Sequence, residues 1–71
     1  MATQRLIKTS MNLPEQSIET VRELAAKTGS SMAEVIRRAI ETQKFLRETA
    51  DQGSKILIKD KDDSMRELIL L

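Results

Sequence analysis

The chain has 71 residues, twelve of them basic and eleven acidic, with no cysteine, histidine, tyrosine or tryptophan. That allows one small domain, too short to bury much of its surface alone; with no disulfide and no cysteine or histidine ligands, oligomerisation is the expected way to complete a core. The composition excludes a histidine-activated nucleophile, and the carboxylates fall mostly in helix-surface charge pairs, so no enzyme, cofactor or metal site is expected.

The net charge of +1 hides an uneven distribution. Residues 1–13 hold Arg5 and Lys8 and no acid, residues 14–52 hold six basic and seven acidic side chains, and residues 53–71 balance four against four. Two copies of the N-terminal segment side by side would double its positive charge locally. The longest apolar run, Leu68 to Leu71, is far too short to cross a bilayer. No secretory-signal pattern opens the chain and the lack of cysteine suits a reducing compartment, so a cytoplasmic protein is expected.

From Arg5 to Leu13 apolar and polar residues alternate, with Ile7, Thr9, Met11 and Leu13 on one parity and Lys8, Ser10 and Asn12 on the other, which predicts a strand. No second strand follows within hairpin distance, so it must pair with a distant segment or another chain. Pro14 ends it and suits the first turn of a helix, where Glu15 and Glu19 complement the positive end of the dipole. Ile18, Val21, Leu24 and Ala25 recur at helical spacing up to Gly29, a residue suited to a left-handed helix end.

Ser30 or Ser31 then caps a second helix, with Glu34 three residues after Ser31 completing a capping box. This helix carries Val35, Ile36, Ala39, Ile40 and Leu46 inward and is predicted to run to about Asp51, before Gly53. Glu34–Arg38, Arg37–Glu41, Lys44–Glu48 and Arg47–Asp51 are opposite charges one turn apart, which assigns Arg37 and Arg38 to surface ion pairs. Beyond Gly53, the β-rich runs Lys55–Lys59 and Met65–Leu71 flank a polar stretch and predict a hairpin with a loop of about four residues. Asp60, Asp62 and Ser64 imitate the start of a calcium loop, but Met65 and Leu71 replace its required glycine and glutamate.

The strand Lys8-Thr-Ser-Met-Asn-Leu-Pro14, the helix Ile18-x-x-Val21-x-x-Leu24-Ala25, the turn Gly29-Ser-Ser31 and the run Glu34-Val-Ile-Arg-Arg-Ala-Ile40 together resemble the ribbon-helix-helix family, which includes the Arc and MetJ repressors. The resemblance spans roughly residues 5–50. It implies a mainly α fold with an N-terminal β-strand, assembled as a homodimer in which an intermolecular antiparallel β-ribbon and four helices share one core, followed by the C-terminal β-hairpin. The division expected is a DNA-binding and dimerisation domain over residues 1–52 and a hairpin or interaction tail over 53–71.

The core implied consists of Met11, Leu13, Ile18, Val21, Leu24, Val35, Ile36 and Ile40. Lys8, Ser10 and Asn12 fall on the family's base-reading positions; they are apt types, since lysine donates to guanine, asparagine bonds adenine bidentately and serine does either. Ser31, Met32 and Ala33 fall on its phosphate-anchoring helix start, where free backbone N–H groups serve without a basic side chain, and Arg5 is a further phosphate contact. Met32 and Ala33 stand where polar or basic residues often sit.

The leading function is a sequence-specific, double-stranded DNA-binding transcriptional regulator, more specifically a repressor, with itself and DNA as partners and no membrane. The alternatives are an antitoxin whose residues 54–71 bind a toxin, and a dimerisation or adaptor module without DNA. Ile56, Ile58 and Leu68 to Leu71 are too many apolar side chains to leave in water, so the tail is expected to pack within the dimer or between dimers in preference to a foreign protein.

Overall fold

The computed structural model describes residues 4–71, so the first three residues of the domain expected over 1–52 lie outside it. The described chain is an extended arm, a helical hairpin of α1 (Glu15–Thr28) and α2 (Met32–Asp51), and a two-stranded antiparallel sheet of β1 (Ile56–Lys59) and β2 (Met65–Leu68).

Helix α1 starts one residue later than the sequence suggests. Pro14 is the cap and not part of the first turn; its φ of −56° suits the helix but its ψ of 149° does not, and its carbonyl receives the N–H groups of Ser17 and Ile18 at 3.0 and 3.2 Å. The other end is the glycine stop expected: Gly29 turns left-handed at φ 64°, its N–H reaches the Ala26 carbonyl at 3.4 Å, and that of Ser30 reaches Ala25 at 2.9 Å. Two bonds of this pattern satisfy carbonyls the helix leaves open. Helix α2 ends in the same way, with Gly53 at φ 89°, Gly53 N–H on Ala50 at 3.0 Å and Ser54 N–H on Thr49 at 3.2 Å.

Ser31 caps α2, its Oγ accepting the Glu34 N–H at 3.1 Å. Only this half of the capping box forms, because the Glu34 carboxylate turns to Arg37 at 2.7 Å and Arg38 at 3.5 Å. The expected Arg37–Glu41 pair is therefore replaced by Arg37–Glu34, one residue closer in sequence. Lys44–Glu48 and Arg47–Asp51 form as expected, at 3.9 and 3.8 Å.

The hairpin pairs Ile56 with Leu68 and Lys59 with Met65 around a loop of five residues, Asp60 to Ser64. Asp60 N–H donates to the Ser64 carbonyl at 2.8 Å and Asp63 adopts φ 70°. Arg66 grips Asp60 through two bonds of 2.8 and 2.9 Å. Asp62 accepts the Ser64 hydroxyl at 2.6 Å and its N–H at 3.1 Å, which holds the Asp62 carboxyl below its ordinary value.

The strand expected over Arg5–Leu13 is absent from the single chain. No backbone hydrogen bond joins residues 4–13 to any other part of the described chain. A strand exists only when its N–H and C=O groups find a neighbouring strand, and none of the described residues lies beside the arm to provide one.

The core is equally incomplete. Ala25 is the one buried residue among those described. The accessible surface of 6930 Å² compares with about 4,500 Å² expected of a folded 8.0 kDa chain. The radius of gyration of 15.6 Å likewise exceeds the roughly 11 Å of a compact domain this long.

Candidate nucleic-acid interface

The helical hairpin and the end of the arm enclose an open apolar groove of ≈ 540 Å³. Val21 and Leu24 of α1 face Val35, Ile36 and Ile40 of α2 across it, and Met11 and Leu13 of the arm close one side. Seven of the eight residues expected in a shared core thus line one depression. The eighth, Ile18, is half-buried outside it. Met11 and Ile40 are each 64% exposed, so the groove is a surface and not an interior. An apolar face of this extent left in water is costly, at about 1.5–3 kcal/mol for each large side chain that burial would remove from it.

Ala39 and Gln43 also line the groove. Ala39 is among the inward positions the helical period marks. Gln43 was missed because its amide is polar, although it follows Ile36 and Ile40 on the same side of the helix. Leu46, expected inward, is half-buried but does not reach the groove.

The arm's other parity behaves differently. Lys8, Ser10 and Asn12 are exposed, take no part in the groove, and make no side-chain hydrogen bond among the described residues. Arg5 and Lys8 have no carboxylate partner among the described residues, whereas Arg22, Arg37, Arg38, Lys44 and Arg47 all have one. Lys27 at the end of α1 and Lys61 in the hairpin loop likewise have no carboxylate partner among the described residues. The start of α2 presents Ser31 and Ala33 to solvent with Met32 half-buried, and the Ser31 hydroxyl already takes the Glu34 N–H.

The family model described as "Ribbon-helix-helix protein, copG family" matches residues 7–44, more than half of the chain. The chain belongs to that family. Its members are generally DNA-binding transcription regulators, antitoxins among them. The match takes in the arm from Ile7, the whole of α1 and most of α2, and leaves the C-terminal hairpin outside. Neither the curated proteins nor the solved structures yielded a match. No helix among the described residues is long and apolar enough to cross a membrane.

Proposed function

We propose that this chain is a sequence-specific regulator of transcription, a repressor in its simplest form, that binds duplex DNA as a homodimer. Residues 1–52 form the DNA-binding and dimerisation domain, and residues 53–71 a separate hairpin. One observation supports the reading: the arm, which has no backbone partner among the described residues, also borders an open groove lined by its own Met11 and Leu13. A second copy answers both needs at once. Antiparallel pairing of two arms supplies the missing hydrogen bonds, and the second pair of helices covers the groove.

The alternation of the arm then sets the function. With Met11 and Leu13 turned to the shared core, Lys8, Ser10 and Asn12 of both copies stand on the outer face of a two-stranded ribbon, which fits the major groove by width. Ser31, Met32 and Ala33 at the start of α2 hold a backbone phosphate through main-chain N–H groups, and Arg5 adds a charge contact. Repression follows from occupying an operator and needs no catalytic group.

Selection of bound sequences from a random duplex pool, followed by titration of the selected site over a range of salt, tests this reading. Binding that weakens steeply with salt and prefers the selected site over random DNA by about a thousandfold or more is expected. A folded dimer with no affinity for duplex DNA would favour the adaptor reading instead.

A further inference from the structure

The stripe of α2 that lines the groove does not stop where the groove stops. Ile36, Ile40 and Gln43 line it, and the same alternation of four and three residues returns Arg47 and Ala50 to that side of the helix. There the chain's own tail lies on the stripe. Arg47 and Ala50 share a small cavity of ≈ 150 Å³ with Ile56, Leu68, Ile69 and Leu70. Arg47 Nη2 donates to the Leu71 carbonyl at 2.6 Å, which fastens the tail one turn beyond Gln43. One face of α2 is therefore open along its first half and covered by its own chain along its last turns.

We propose that Ile69–Leu71 form part of the homodimer interface, where the second copy that fills the groove meets the tail of the first at the groove's end. This rests on the homodimer reading given above. Four observations select that occupant. Ile69 is 66% exposed and Leu71 is also exposed, although both lie against or beside Arg47, in continuity with the groove.

Three ion pairs lie within the hairpin, Lys55 to Glu67, Lys59 to Asp63 and Arg66 to Asp60, and the two charges left over, Lys61 and Asp62 of the loop, are opposite in sign, so it offers no net charge to recruit a foreign partner. Its free β1 edge is guarded as well: antiparallel pairing with another β1 about Leu57 sets Lys55 against Lys59 of the copy, a like-charge pair that disfavours edge-to-edge joining of dimers. DNA is out of reach, since α2 has 20 residues and so separates its phosphate-holding start from the hairpin by about 30 Å.

The test is an isotope-filtered NMR experiment on the full chain, in a dimer mixing a copy carrying ¹³C-labelled methyl groups with an unlabelled copy. Cross-copy contacts are expected from the methyls of Ile69 and Leu71 as well as from those of Leu24 and Ile40. Contacts from Leu24 and Ile40 without any from the tail would overturn the inference and leave the homodimer standing. Tail contacts that appear only at concentrations where tetramers sediment would overturn it too, in favour of packing between dimers. A monomer with no cross-copy contacts would remove the homodimer reading and the inference with it. As a second arm, Ile69→Glu combined with Leu71→Glu is expected to raise the dimer dissociation constant by about tenfold or more while the Ile56–Leu68 cross-strand contact persists. An unchanged constant would overturn the inference.

Discussion

The arm at one end of the chain and the hairpin at the other carry the same kind of signal, alternating apolar and polar residues, and meet opposite fates. Met65–Leu68 finds Ile56–Lys59 across five loop residues and forms a sheet. The arm finds no partner among the described residues and forms no strand. Alternation determines which faces a strand would have, whereas a neighbour determines whether the strand exists. The hairpin forms within one copy, with three ion pairs inside it. The arm has its two cations unpaired among the described residues, and in the homodimer proposed here it is completed by the second copy.

The sharpest way to break this contrast is Ile40→Ala. Ile40 is exposed in the single chain, where such a change alters stability by no more than about 0.5 kcal/mol. In a shared core the same change costs about 2–5 kcal/mol, seen as dissociation in sedimentation and as a melting temperature that rises with protein concentration. Next in size, Lys8→Ala or Asn12→Ala is expected to weaken binding to the selected site by about 1–3 kcal/mol each while leaving the melting temperature unchanged. Equal losses on selected and random duplexes would show that these side chains touch phosphate alone.

Gly29→Ala probes the turn that aims α2 at its proposed phosphate. Space for a methyl group is open there, so only the left-handed backbone at φ 64° is strained, and a loss of about 1–2 kcal/mol in urea unfolding is expected. The smallest effect concerns the hairpin loop. The Ser64 hydroxyl and N–H lower the Asp62 carboxyl, so their contribution is present above the ordinary aspartate range and is lost as the pH falls through the lowered value. Ser64→Ala is expected to bring the Asp62 titration midpoint, followed by its carboxyl ¹³C shift, back up toward the ordinary value.

Much of this was legible in the sequence because local rules govern it. Gly29 and Gly53 mark both helix ends, Ser31 marks a cap, and Ile56 and Leu68 belong to runs that pair at short range. The groove was legible as well, since Val21, Leu24, Val35, Ile36 and Ile40 follow the helical period. What escaped was choice among equals. Glu34 had an arginine at three residues and another at four, and it took both, leaving Glu41 without the partner its spacing suggested. Arg47 read as the partner of Asp51 also reaches the Leu71 carbonyl, a contact between residues far apart in sequence that no periodicity reveals.

Amide hydrogen exchange of residues 5–13 tests the central claim most directly. In a two-stranded ribbon only one edge of each strand is bonded, so protection is expected at alternate residues along the arm, vanishing on dilution below the dimer dissociation constant. Uniform exchange at free-peptide rates along the whole arm, under conditions where α1 and α2 are folded and the groove is covered, would contradict it.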